Sequence, residues 1–210
     1  MIPLAAPLLA GAAIALAALP AAAQTAVAAP AAVAPADVRP GAYVLDPAHG
    51  KITWSVSHLG FSTYVGQFRD VQAKLNLDPK NPSASTLEAT IPIDRIGTLH
   101  DGLDKHLKAA DFLDVAKFPT ATFKSTRIVR TGERTADITG DLTLHGVTKP
   151  VVVQATFNKA GPGPGGSKYR VGFDGKAAIK MTDFDIAPKF APMLGEVATL
   201  AIEGEFTAAE

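Results

Sequence analysis

Apolar and polar residues alternate with a period of two in one segment after another between Lys51 and Phe206, and nothing else constrains the fold of this chain as much. A two-residue repeat sends successive side chains to opposite faces, so each segment reads as a strand with one apolar face. In the first, Ile52, Trp54 and Val56 alternate with Lys51, Thr53, Ser55 and Ser57, and His58 falls on the apolar face by the same parity. A second strand covers Tyr64 to Leu77. Phe68 fits one parity there and Val71, Ala73, Leu75 and Leu77 the other, so a bulge is expected near Asp70. The third carries Leu87, Ala89, Ile91 and Ile93 on one face, with Pro92 at its end. Ala121 and Phe123 open a fourth that runs to about Arg130. Ile138, Leu142 and Leu144 mark a fifth, in which Gly140 lies on the apolar face and predicts a bend or a close approach. Val151, Val153, Ala155 and Phe157 mark a sixth, Tyr169, Val171, Phe173, Ala177 and Ile179 a seventh, and Ala198, Leu200, Ile202 and Phe206 an eighth.

Strands joined in order by short turns imply an antiparallel meander, and closing it into a barrel removes the exposed edges of a flat sheet. About eight strands enclose an interior wide enough for side chains or one small ligand. A β-sandwich is the competing architecture, and periodicity does not separate the two.

One stretch breaks the pattern. In Thr98 to Thr126, Leu99, Leu103, Leu107 and Ala110 recur at helical spacing, with His106 beside that stripe. Thr98 and Asp101 fit a capping pair, and Pro119 ends the helical geometry and launches a strand. A single helix spliced between strands either lids the sheet structure or packs on its outside. The segment from Thr182 to Leu194 has no regular pattern.

The N-terminus reads as a targeting segment outside the fold. Residues 4–19 form an apolar run, followed by Pro20 and by Ala21, Ala22 and Ala23 before Gln24. This is the pattern of a secretory signal with cleavage after Ala23, and the run is short for a membrane span of ~20 residues. The first basic residue is Arg39, so the usual positive flank is missing, and an uncleaved anchor is the alternative. Residues 24–40 are rich in Ala and Pro and read as a linker, with the folded domain expected over 41–208. The expected location is the periplasm. The chain has no cysteine, so no disulfide staples the fold and no thiol chemistry is available. Its net charge is zero, which argues against nucleic acid as a partner, since no basic field draws phosphates.

A set of motifs, taken together, resembles the YceI family, the lipocalin-like polyisoprenoid-binding proteins of bacteria. They are Tyr43-Val44-Leu45-Asp46 with His49; Val56-Ser57-His58-Leu59-Gly60-Phe61-Ser62; Val65-Gly66-Gln67-Phe68; His106-Leu107-Lys108 with Asp111-Phe112-Leu113-Asp114; Phe118-Pro119 with Phe123-Lys124-Ser125-Thr126; Gly140 to Pro150, GDLTLHGVTKP; and Gly195-Glu196-Val197. They cover residues 42–207 in order. The resemblance implies an all-β fold, an eight-stranded antiparallel lipocalin-like β-barrel with one inserted helical segment. It also implies a long apolar tunnel for an isoprenoid tail, as in polyprenyl phosphates or quinones. One departure stands out. The family usually carries an Arg-Ser-Asp-Phe-Gly-like segment before the last strand, and here it reads Met181-Thr182-Asp183-Phe184-Asp185. Without that arginine, a pyrophosphate head group loses weight and a neutral quinone-like one gains it.

The expected tunnel lining is Trp54, Val56, Phe68, Ile91, Phe123, Leu142, Leu144, Val153 and Phe173 from the apolar strand faces, with Phe184 beside them. The alternative is that these side chains pack against one another in a filled core. His58 and His106 are the polar candidates to hydrogen-bond a head group; His49, His100 and His145 read as structural or solvated. No catalytic residue, metal site or cofactor is expected. No nucleophile elbow, phosphate loop, dinucleotide fingerprint or His-Glu-x-x-His run is present. The leading expectation is therefore a carrier or store of an isoprenoid lipid or quinone, with a membrane redox protein as a candidate partner and a homodimer as one open oligomeric state. The rivals are a small lipid- or amide-modifying enzyme with His58 or His106 as acid/base, and a filled barrel that binds protein.

Overall fold

The computed structural model describes residues 33–209. The expected signal segment and the linker up to residue 32 lie outside the described residues.

Among the described residues, ten strands make one antiparallel sheet: β1 (Gly41–His58), β2 (Ser62–Phe68), β3 (Gln72–Leu77), β4 (Thr86–Pro92), β5 (Ile96–Gly97), β6 (Thr120–Arg130), β7 (Thr135–Leu144), β8 (Val147–Pro162), β9 (Tyr169–Lys180) and β10 (Val197–Ala208). Eight of them close a ring in the order β1-β3-β4-β6-β7-β8-β9-β10, with β10 returning to pair with β1 from Tyr43↔Ala208 to Ser55↔Thr199. The barrel is therefore closed, and the sandwich alternative is excluded. The strands β2 and β5 extend the sheet from the second half of β1.

The second expected strand is broken into β2 and β3. The break falls at residues 69–71, where Asp70 takes φ 58°, a left-handed turn that resets the parity as the alternation requires. The first strand begins at Gly41 rather than near Lys51, because a register shift between Leu45 and Gly50 lets β1 continue past Pro47. Residues 33–40 also touch the barrel. Val38 is buried in the core at 4% exposure, so the reading of a free linker does not extend to this residue.

The helical stretch is much shorter than its pattern. Only Asp101–Leu107 forms helix α1. Leu99, expected on the apolar stripe, lies before the helix at φ 64° and is fully exposed. The cap is His100, whose Nδ1 accepts from the Leu103 amide. Thr98 instead donates its amide and its hydroxyl to Asp104 Oδ1, at 2.7 and 2.5 Å. The turns after α1 bury Phe112 and Leu113. A second, one-turn helix, α2 (Ala191–Leu194), sits beside β1, where the Leu59 amide donates to the Met193 carbonyl at 3.0 Å.

Candidate functional site

The inward faces do not fill the barrel. Two cavities occupy its two ends. One lies under α1, in the half of the barrel that holds Trp54, Ile91 and Leu144, and has a volume of about 150 Å³. The other lies under the β6–β7 hairpin, with a volume of about 190 Å³.

Every residue lining the helix-end cavity is apolar. The strands supply Trp54, Val56, Phe68, Ile91, Leu142 and Leu144, all expected from parity. Closure at this end comes from outside the regular strands. Leu107, Phe112 and Leu113 reach in from α1 and the turns after it, and Met181, Ile186 and Leu194 from the irregular segment before β10. The α1 stretch is thus a lid, the first of the two roles open to it. Trp54 is 8% exposed and its Nε1–H has no hydrogen-bond partner among the described residues, so packing alone holds the indole.

The hairpin-end cavity has an apolar interior, with Val153 and Phe173 among its walls and Val38 closing one side. Its rim is polar: Ser85, Arg130, Glu133, Arg134, Thr135 and Asp174. The two arginines are already engaged. Arg130 donates to the carbonyls of Gly132 (2.7 Å) and Glu133 (2.9 Å). Arg134 donates to those of Phe157 (3.1 Å) and Asn158 and lies over the Phe157 ring.

Four expected residues line neither cavity. Phe123 is buried in the core, with its ring against Gly140 of the adjacent strand. Phe184 is 2% exposed and packs in the core, where its carbonyl accepts from His145 Nδ1 at 3.1 Å. That bond ties the irregular segment to the β7–β8 turn. His58 and His106 are exposed. His58 shares the parity of Trp54 and Val56, but it is the last residue of β1, lines neither cavity and is exposed. His106 stacks edge-on against Phe112 at 4.5 Å from the outer side of the lid.

The charged groups with shifted pKa values lie away from both linings. Asp46 is held below the usual carboxylate range, first by its hydrogen bond with His49 and further by Arg170. Burial pushes the Tyr43 hydroxyl up. Glu196 raises the Lys180 ammonium. Among the described residues there is no group of three or more His, Cys, Asp or Glu arranged to hold a metal ion. Chemically, the site can exclude water and hold a hydrocarbon; no ionisable group faces the helix-end cavity.

A YceI-like domain model matches residues 43–206. A UPF0312 protein of Ectopseudomonas mendocina is 47% identical over 157 residues, covering 74% of this chain and 82% of that one. One from Azotobacter vinelandii is 42% identical over 165 residues, covering 77% and 85%. Among solved structures, the Campylobacter jejuni YceI protein aligns with a TM-score of 0.66 at 32% identity, over 73% of this chain and 90% of that one. Burkholderia cenocepacia BcnA aligns with 0.70 at 21% identity, over 77% and 98%. A polyisoprenoid binding domain from Saccharophagus degradans, described as implicated in plant cell wall breakdown, aligns with 0.62 at 14% identity, over 81% and 100%. The last two likenesses are likenesses of fold.

Proposed function

Because the chain belongs to the YceI-like domain family, we propose that it binds a hydrophobic isoprenoid-type lipid inside the barrel, and that it carries, stores or sequesters that lipid in the periplasm after removal of the signal segment. The observation that carries this reading is the helix-end cavity, whose lining has no polar residue. An apolar cavity of this size stays dry and takes an apolar guest. The polyisoprenoid binding described for the Saccharophagus degradans domain of the same fold supports the choice of lipid.

Magnitudes narrow the ligand further. One isoprene unit has about five carbons, which return about 4 kcal/mol gross at ~0.8 kcal/mol each. Association costs ~4 to 15 kcal/mol. One unit in one cavity therefore does not bind usefully, and about ten carbons or more are needed. The head group is neutral and quinone-like in this reading. Met181 stands where the family pattern has arginine, and its side chain lines the apolar cavity, where a phosphate would lose its water without gaining a partner. This reading is one of binding without chemical change, and it is supported by the exposure of both candidate acid/base histidines outside the cavity lining. A membrane redox protein is a fitting recipient for a quinone.

The chain has a single tryptophan, and it lines this cavity. Titration with decylubiquinone should quench Trp54 fluorescence saturably, reaching a plateau at one equivalent. Linear quenching no stronger than that of free tryptophan overturns the reading.

A further inference from the structure

Two segments roof the helix-end cavity: the α1 stretch over residues 98–119 and the irregular segment over residues 181–196. Each is fastened separately. In the α1 stretch Asp104 holds Thr98, the Leu113 amide donates to the Leu107 carbonyl at 3.1 Å, and the Val115 amide to the Lys108 carbonyl at 3.1 Å. The irregular segment is bonded to itself from the Met181 amide to the Glu196 carbonyl at 2.9 Å. It is bonded to β1 from the Leu59 amide to the Met193 carbonyl, and to the β7–β8 turn from His145 to the Phe184 carbonyl. Among the described residues no hydrogen bond or ion pair joins one segment to the other. The ring contact between them is Phe112 on Phe190, stacked at 5.2 Å between centroids with 12° between the planes. Phe112 is buried and lines the cavity; Phe190 is half-buried and lies outside the lining. The other lining residues, Ile93 apart, sit in strands held to their neighbours by ladder hydrogen bonds. Beyond the ring pair the surface stays apolar. Met193, whose amide donates to the Phe190 carbonyl at 2.8 Å, is 49% exposed, and Leu59 beside it 46%.

We propose that this seam is the door of the helix-end cavity, and that Phe190 closes it by stacking on Phe112. The lipid enters and leaves between the α1 stretch and the irregular segment. The proposal rests on the lipid-binding reading above and adds the route. An opening through the strand wall breaks a row of backbone hydrogen bonds and leaves their donors and acceptors unpaired beside an apolar cavity. Parting the two rings breaks no hydrogen bond and loses only stacking and apolar contact. A hydrocarbon chain that passes between them moves from an apolar lining onto the exposed side chains of Met193 and Leu59. Phe190 is a positioning residue: it touches Phe112 and not the cavity, so it sets how often the roof parts, not how well the chain fits inside. The ring pair closes over the free and the loaded barrel alike. Loosening it therefore speeds entry and exit by the same factor and leaves the affinity unchanged.

The test is stopped-flow Trp54 fluorescence with decylubiquinone on the wild type, Phe190→Leu and Phe190→Ala. Quenching on mixing gives the association rate. Recovery on transfer of the loaded protein to excess phosphatidylcholine vesicles gives the dissociation rate. Circular dichroism and thermal melting identify the variants that keep the barrel, and Phe190→Leu serves if Phe190→Ala does not fold. Both rates should rise by about tenfold in Phe190→Ala and by less in Phe190→Leu, with Kd within about twofold of the wild type. Unchanged rates in a folded variant, with decylubiquinone bound by the wild type, overturn the door and leave lipid binding standing. A loss of affinity at an unchanged association rate also overturns it, because Phe190 then acts on the fit of the bound chain. A wild type that shows no saturable quenching overturns the lipid-binding reading and the door with it.

Discussion

Trp54 and Gly66 face each other across the β1–β2 pair, and the six-membered ring of the indole occupies the space a β-carbon on Gly66 would need. The carbonyl of Gly97 lies 2.9 Å from that same point, so the site is closed from both sides. The absence of one methyl group thus sets the position of the largest side chain in the cavity wall.

Gly66→Ala should push the indole into the helix-end cavity. The expected cost is ~1 to 3 kcal/mol of stability, as for other overpacked cores. Because the indole N–H has no partner to hold it back, the ring should move rather than the backbone. Chemical denaturation measures the loss, and a shifted Trp54 emission maximum with weaker decylubiquinone binding reports the displaced ring.

Met181→Arg places a cation at the lining of an apolar cavity. The backbone of residue 181 keeps its bonds to Glu196 and Ile186, so the local fold should persist. The charge loses water at the lining, and a neutral guest offers nothing in return. Decylubiquinone affinity should fall by about tenfold or more, while farnesyl pyrophosphate, bound weakly by the wild type, should gain affinity. Titration of both ligands into both proteins measures the exchange.

His58→Ala and His106→Ala should each leave lipid affinity within about twofold of the wild type. Both side chains are exposed and outside the lining. An enzyme using either as acid/base would instead keep binding and lose turnover. Incubation of quinone and prenyl esters with all three proteins, followed by mass spectrometry of the products, distinguishes the two.

Asp46 sits at the centre of a small ionic cluster with His49 at 3.0 Å and with Arg170 at 3.0 Å, which also reaches Glu205 at 3.0 Å. These contacts favour the ionised carboxylate, so its folded pKa is lowered. The resulting stability is complete above the unfolded value of about 4 and is lost as pH falls through the lower folded value. Asp46→Asn should therefore lower Tm near neutral pH and converge on the wild type in acid. Melting curves across the acid range check the sign.

The strands were legible because alternation is a direct record of which face is buried, and Gly140 on an apolar face announced the close approach that Phe123 makes. Parity does not record depth along the barrel. His58 has the parity of Trp54 and Val56 yet is exposed, as the last residue of β1. The lid was legible only as a helix. Phe112 and Leu113, which follow α1 in a run of turns, carry no period, and neither do Ile186 and Leu194. Their burial follows from how the chain folds back over the barrel end. The first half of β1 was hidden by Pro47 and Gly50, which read as breakers and instead mark a register shift.

The central claim is that the barrel holds an isoprenoid-type lipid. The most direct measurement is to express the full chain with its signal segment, purify the exported protein, extract it with organic solvent and quantify the extract by mass spectrometry. The account predicts a polyprenyl or quinone species near one equivalent per chain. An extract with no lipid, repeated after incubation with polyprenyl alcohols and quinones, would contradict it.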